Sequence, residues 1–152
     1  MKDCSIKTVG VTGANSGLGC EATKAFARKG ATVIMACRSI ERGRDAAHEI
    51  RDRLTGSTGS TLNVRERDLA SLDSVAAFAD GVAEDYPELH VLCNNAGVMA
   101  IPRAETADGF EMQLGVNHLG HFALTAQLLD LLVDTARETR VVTHSSSAHT
   151  AG

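Results

Sequence analysis

Between an apolar run and a helical pattern, the chain reads Thr12, Gly13, Ala14, Asn15, Ser16, Gly17, Leu18 and Gly19. The three glycines of this stretch let the backbone turn tightly and leave room for a pyrophosphate. A helix that begins here directs its free N–H groups and the positive end of its dipole toward an anion. Such a cluster could form only a tight turn, but its place between strand and helix favours dinucleotide binding. We therefore treat Thr12, Gly13 and residues 15–19 as candidate cofactor-binding residues.

The rest of the chain alternates between apolar strands and amphipathic helices. Strands are predicted at residues 5–12, 31–37, 62–67, 89–94 and 140–144, and helices at 16–29, from about 39, at 71–85 and at 108–135. The strands are continuously rather than alternately apolar, which is typical of a parallel sheet covered on both faces. With right-handed crossovers, this order predicts an α/β fold, a doubly wound parallel sheet (Rossmann fold) of five strands. No repeat or linker interrupts the pattern, so residues 1–152 are predicted to form one domain.

The composition argues against several classes of function. The chain has 152 residues, a formal net charge of −4 and no long basic run, which argues against binding to nucleic acid or to an anionic membrane. Near the start, Lys2, Asp3 and Lys7 precede only a short apolar run, so neither a secretion signal nor a membrane span is predicted. A cytoplasmic location is the resulting expectation.

No metal site is predicted from the cysteines and histidines. The cysteines are far apart and form no C-x-x-C pair, which favours reduced thiols: Cys4, Cys20, Cys37 and Cys93. His118 and His121 are three residues apart on a predicted helix and could share a metal, but no carboxylate or cysteine partner is evident nearby. We expect these two histidines to be structural or to line a pocket.

The end of the second predicted strand indicates which nicotinamide cofactor is preferred. An acidic side chain at this point binds the ribose hydroxyls of NAD, whereas a cation pairs with the 2′-phosphate of NADP. Here Arg38 and Ser39 stand at the tip without a carboxylate, and Arg42 follows closely. The planar guanidinium of Arg38 suits a phosphate, although it could also be an ordinary exposed loop arginine. The sequence therefore predicts NADP, with NAD as the less favoured cofactor.

Two motifs together resemble the short-chain dehydrogenase/reductase family. The first is T-G-x-x-x-G-x-G at residues 12–19, and the second is N-N-A-G at residues 94–97, at the end of the fourth predicted strand. This resemblance implies that Asp68 binds the adenine amino group and that the backbone of Leu69 flanks the ring. It also implies that Asn94, Ala96 and Gly97 bind the cofactor.

The resemblance implies two residues with catalytic roles. Asn117 lies in N-H-L-G-H-F, which resembles the retinol-dehydrogenase-like branch that includes the WW-domain-containing oxidoreductases, and so implies a hydrophobic alcohol or carbonyl substrate. Its amide falls on an apolar helical stripe with Phe110, Leu114 and His121, so it could instead be a hydrogen-bonded core residue. Ser146 matches the serine that binds the substrate oxygen, although a serine run is also common in solvated loops.

The tyrosine and lysine of the family's Y-x-x-x-K motif have no counterpart here. Tyr86 is the only tyrosine and no lysine follows Lys29, so this chain alone is expected to be inactive. It would then be the first part of an oxidoreductase, or a non-catalytic dinucleotide-binding or interaction protein; a flavodoxin-like binder would leave the later motifs unexplained. We also expect an exposed fifth strand and a 108–135 helix short of neighbours. The resemblance implies a homo-oligomer for the complete enzyme.

Overall fold

The chain folds around a five-stranded parallel sheet. A computed structural model describes residues 7–54, 59–136 and 138–147. The strands are β1 (Thr8–Thr12), β2 (Thr32–Cys37), β3 (Thr61–Glu66), β4 (Val91–Asn94) and β5 (Arg140–Thr143). Their order is β3-β2-β1-β4-β5, and each neighbouring pair is parallel. The predicted doubly wound α/β fold is therefore confirmed, with β1 at its centre.

Three helices connect the first four strands: α1 (Gly17–Ala27), α2 (Ile40–Arg53) and α3 (Leu72–Asp85). Serines cap two of them, because the hydroxyl of Ser39 accepts from the Arg42 N–H and that of Ser71 accepts from the Ser74 N–H. After α1, Gly30 adopts a φ of 80°, a left-handed conformation that lets the chain turn into β2. The predicted cap at Ser39 is confirmed.

Two apolar layers enclose the sheet. One cluster contains Val9, Val11 and Met35 with residues of α1 and α2, and the other contains Ile34 and Leu92 with residues of α3 and of the helices that precede β5. Adjacent residues of one strand thus enter opposite layers. This arrangement explains why the central strands are continuously apolar in sequence.

The segment predicted as one helix at 108–135 is helical over most of its length, but it begins only at Met112 and is divided into shorter segments. The structure has α4 (Met112–Leu114), a π-helical turn (Gly115–Leu119), α5 (Gly120–Gln127) and α6 (Leu129–Asp134). Gly109 has a φ of 80° in the preceding turn, and the Glu111 carboxylate then accepts from two main-chain N–H groups to begin α4. In the described part of the chain, no helical segment is long and apolar enough to cross a membrane.

The predicted exposure of the last elements is confirmed. Strand β5 is an edge of the sheet and all four of its residues are exposed. Phe122 of α5 is 68% exposed and Val133 of α6 is 71% exposed. The alternative that Asn117 is a core residue is wrong, since Asn117 is exposed together with Phe110 and Leu114, and only His121 of this stripe is buried.

Candidate functional site

A cleft of about 840 Å³ opens at the carboxyl ends of the strands. Ten of the predicted cofactor-binding residues line it: Gly13, Asn15, Ser16, Leu18, Arg38, Ser39, Asp68, Leu69, Ala96 and Gly97. Its wall also contains Arg42, Arg67, Asn95, Val98, Met112, Val116 and His144. The topology of the sheet therefore gathers side chains from five separate strand ends into one cavity, where open α/β sheets bind ligands.

The glycine-rich turn forms one wall of this cleft. Gly13 adopts a φ of 66° while its N–H donates to the Ala36 carbonyl at 2.9 Å, which fixes the turn against β2. A Cβ atom at Gly19 would collide with the Gly13 carbonyl and the Asn95 amide, so only glycine fits. The Ser16 hydroxyl makes no capping bond, and the N-terminal N–H groups of α1 remain available to an anion.

Thr12 is the hydrogen-bonding centre beneath the turn. Its hydroxyl accepts from the N–H groups of Asn95 and Ala96 at 2.8 and 2.9 Å, and lies 2.9 Å from Nε2 of His121. A hydroxyl has two acceptor lone pairs and one proton. Because both lone pairs are used, the Thr12 proton must point to His121 Nε2, or to the more distant Cys93 carbonyl at 3.3 Å. The shorter contact identifies Nε2 as the acceptor.

His121 is therefore neutral, with its proton on Nδ1. This nitrogen lies 3.2 Å from the Asn117 carbonyl and donates to it. The side chain is buried, and burial lowers the pKa of His121 to about 4, an effect to which the positive charge of Arg67 adds. A neutral imidazole thus joins the end of β1 to the π-helical turn.

Asn117 lies in that π-helical turn, beside the cleft. Its side chain accepts from the Val98 N–H and donates to the Val98 carbonyl, both at 2.8 Å. Asn117 is exposed. Its hydrogen-bond partner, Val98, lies in the loop after β4 and not in the apolar core. This pair of bonds holds Val98 and the neighbouring Gly97 at the cleft wall.

The ends of β2 and β3 supply the charged part of the cleft. Arg38 is exposed, while Ser39 uses its hydroxyl to cap α2. The Asp68 carboxylate accepts from the Ala70 N–H at 2.9 Å, which shapes the loop that follows β3. Cys37 lies beneath them, and burial raises the pKa of its thiol, so it adds no negative charge at neutral pH.

The two adjacent asparagines after β4 point to different places. Asn94 is buried and donates to the Thr125 hydroxyl at 2.9 Å, so the structure does not bring it into the cleft wall. Asn95 lines the cleft, donates from Nδ2 to the Thr12 carbonyl at 3.0 Å, and lies 3.3 Å from His144 Nδ1. Asn95 thereby links the residues at the ends of β1, β4 and β5.

Ser146 lies beyond the end of β5 and is exposed. It is not among the residues that line the cleft, whereas His144 is. Thr12, Gly17 and Gly19 also contribute no lining surface, although they shape the turn above it.

The described residues contain no group of three or more potential metal ligands, and His118 is exposed. Cys4 lies outside the described residues; Cys20, Cys37 and Cys93 are free thiols.

Three roles in the site were not predicted from the sequence: Asn95 as the bridging amide, His121 as the partner of Thr12, and Arg67 as a wall residue. His121 is separated from Thr12 by more than a hundred positions, and no spacing rule reports such a contact. Arg67 does carry a weak signal, because it directly precedes Asp68 at the predicted end of a strand. Strand ends of a parallel sheet face the ligand, so a charge there is a candidate.

Similar proteins are found by sequence and by structure. The family model for short chain dehydrogenases matches residues 7–152. Human retinol dehydrogenase 11 is 49% identical over 146 residues, which cover 96% of this chain and 45% of that protein. An uncharacterised protein from Mycobacterium paratuberculosis has 49% identity and a TM-score of 0.81, over 97% of this chain and 48% of its own. A Shigella flexneri short chain dehydrogenase complexed with NADP has 30% identity and a TM-score of 0.80, over 100% of this chain and 64% of its own. The chain thus spans less than two thirds of each relative.

Proposed function

Because this chain belongs to the short chain dehydrogenase family, we propose that it binds NADP(H) in the cleft at the strand ends. We further propose that it serves an oxidoreductase that transfers hydride between the nicotinamide and an alcohol or carbonyl substrate. Membership of this family confirms the resemblance predicted from the glycine-rich motif at residues 12–19 and the N-N-A-G motif at residues 94–97. The NADP complex of the Shigella flexneri relative supports the choice of cofactor.

One observation carries the proposal: the open N-terminus of α1 and the arginine-rich end of β2 lie in the same cleft. The N–H groups beside Ser16 and Gly17 suit a pyrophosphate, since α1 has eleven residues and an uncapped start. Arg38 and Arg42 would bind the 2′-phosphate, and Asp68 with Leu69 would bind the adenine. Gly13, Ala96 and Gly97 let the cofactor approach the backbone closely.

The bound cofactor would supply or accept the hydride, and the chain's residues would orient the reactants. The Asn117 turn and Ser146 are our candidates for supporting the proton path and the substrate oxygen. Apolar side chains in the cleft wall, such as Ile101 and Met112, suit a hydrophobic substrate. The name of human retinol dehydrogenase 11 points to the same class of alcohol.

The family's tyrosine acts as an acid–base group beside a lysine, and Tyr86 cannot take this role from its position. It follows α3, where its hydroxyl accepts from Asn63 Nδ2 at 2.8 Å, and it lines a different cavity. We therefore propose that the 152-residue chain binds cofactor but has no carbonyl reductase activity by itself. NADPH oxidation by this chain with any small ketone would contradict that proposal. A cytoplasmic location and a homo-oligomeric complete enzyme stay predictions.

Cofactor preference is tested by titrating the protein with NADPH and NADH. A charge-assisted bond to the 2′-phosphate should make NADPH bind about 10- to 100-fold more tightly. Arg38→Asp should remove or reverse that difference, whereas Arg44→Asp, the same change on the side of α2 that lines the other cavity, should preserve it. Equal affinities of the unaltered protein for both cofactors would refute the role of Arg38.

A further inference from the structure

Arg67 is a buried arginine whose charge is not neutralised by the described residues. It is only 3% exposed. Two of its guanidinium nitrogens, Nε and Nη1, are buried and have no hydrogen-bond partner in the described part of the chain. Buried guanidinium groups are normally paired, because removing the charge from water is costly. A buried and unpaired arginine therefore calls for a ligand.

The neighbours of Arg67 do not supply the missing negative charge. Burial raises the pKa of the Cys37 thiol, which is then neutral at physiological pH. The Asp68 carboxylate attracts Arg67 but bonds to the Ala70 N–H instead, and the two side chains form no ion pair. Burial lowers the pKa of Arg67 only to about 10, so the group remains a cation near pH 7.

The position of Arg67 indicates the kind of ligand. The residue directly follows β3, and its main-chain N–H donates to the Cys37 carbonyl at 2.9 Å, so its backbone lies next to Arg38. Its side chain lines the same cleft as Arg38 and Arg42. Among the cleft-lining residues these three arginines face one carboxylate, that of Asp68. This excess of positive charge fits a phosphate-bearing ligand.

We propose that Arg67 binds a phosphate group of the dinucleotide and completes a three-arginine anion site with Arg38 and Arg42. This inference rests on the proposed function. Arg38 and Arg42 approach the phosphate from the solvent side, whereas Arg67 approaches it from beneath. A buried guanidinium loses little side-chain entropy when it binds, because packing already fixes it. The phosphate in turn supplies the negative charge that the described neighbours of Arg67 do not provide.

The test compares Arg67→Met with the unaltered protein in calorimetric titrations with NADPH and NADH. Competition by ADP, 2′-AMP and adenosine then identifies the phosphate. Arg67→Met should weaken NADPH binding about 10- to 100-fold and leave adenosine binding unchanged. A loss confined to 2′-AMP and NADPH assigns Arg67 to the 2′-phosphate site of Arg38 and Arg42, whereas an equal loss of ADP and NADH binding would place it at the pyrophosphate and overturn the three-arginine site. Arg65→Met is the matched control, since Arg65 lies two residues earlier, within β3, and lines the other cavity.

Thermal unfolding of the free protein separates binding from structure. Because Arg67→Met removes a buried unpaired charge, the melting temperature of the variant should equal or exceed that of the unaltered protein. A lower melting temperature with equal loss of all ligands, adenosine included, would make Arg67 structural and overturn the inference. So would unchanged NADPH binding by the variant. If the unaltered protein binds none of these nucleotides, the proposed function itself fails, and this inference with it.

Discussion

Replacing Thr12 by valine should be costly, although the two side chains have nearly the same size. Thr12 is 1% exposed, and its hydroxyl is shared by Asn95, Ala96 and His121. Valine has the same β-branched shape as threonine, but its side chain can neither accept nor donate a hydrogen bond. Thr12→Val therefore leaves three polar groups of the site without their partner.

The magnitude depends on the burial of those three groups. A buried polar group without a partner costs about 1–3 kcal/mol. His121 is 5% exposed and should cost most, whereas Asn95 and Ala96 are partly exposed and can recover some bonding from water. We expect a total loss of about 2–4 kcal/mol in the free energy of unfolding. For a chain of this length, that corresponds to a fall in melting temperature of about 5–15 °C.

Urea unfolding of three variants tests this expectation. Thr12→Ser keeps the hydroxyl and loses one buried methyl group, so it should cost only about 1 kcal/mol. The double variant Thr12→Val with His121→Phe should cost less than the sum of the single changes, by about 1 kcal/mol, because the orphaned imidazole is gone. If Thr12→Val is no more destabilising than Thr12→Ser, the hydroxyl network does not stabilise the site.

Three further perturbations have definite expected outcomes. Burial lowers the pKa of His121 to about 4, against about 6.5 in an unfolded chain. The unfolded chain therefore binds the extra proton, and unfolding free energy should fall by up to about 3 kcal/mol from pH 6.5 to pH 4. The unfolding free energy of His121→Gln should lack this part of the decrease. Equal pH profiles for the variant and the unaltered protein would refute the assignment to His121. Gly19→Ala should abolish nucleotide binding and cost at least about 2 kcal/mol, because its Cβ meets the turn backbone. Gly17→Ala should lower the free energy of unfolding by only about 1 kcal/mol, because a Cβ at this position meets no other atom and the only penalty is the left-handed φ of 52°. Asn117→Ala should speed hydrogen exchange at the Val98 amide several-fold, as both bonds to Val98 disappear; unchanged exchange would contradict the assigned contacts.

The sheet could be predicted because its signals are local and repeated. Each central strand is a short apolar run, and each of the first three helices carries one apolar stripe. Ser39 is a typical N-cap residue directly before a helical pattern, and so it predicts where α2 begins. A parallel sheet then brings all strand ends to one edge, so the residues after the strands are placed near each other without knowledge of any side-chain contact. This is why most of the predicted cofactor residues line one cleft.

The segment before β5 could not be predicted in the same way. Its apolar residues repeat at helical spacing, which predicts one long regular helix, yet the structure divides it into α4, a π-helical turn, α5 and α6. Periodicity does not report that Gly115 packs against Thr106, or that Gly120 lies so close to Leu69 that a Cβ would be 2.6 Å from its carbonyl oxygen. These long-range contacts fix the ends of the segments, and a local pattern contains no information about them.

The π-helical turn and the buried histidine have one common explanation. A π-turn inserts an extra residue into a helix and rotates the residues after it, which is a recurring device at functional sites. Here it precedes His121, whose ring reaches Thr12 at the end of β1 while its Nδ1 donates to the Asn117 carbonyl. A regular helix would turn residue 121 to another face, so the irregular geometry is needed for the contact.

The buried polar groups of the site are of two kinds: some stabilise the fold, and one is proposed to bind the ligand. Thr12 and His121 find their partners within the chain, so their substitution should lower stability before it affects any ligand. Nε and Nη1 of Arg67 have no such partner among the described residues, so its substitution should weaken ligand binding while the free protein stays as stable or becomes more so. We therefore expect a loss of stability for Thr12→Val and no loss for Arg67→Met when both are measured in the same buffer. Two changes of the same sign would mean that Arg67 belongs to the scaffold and not to the anion site.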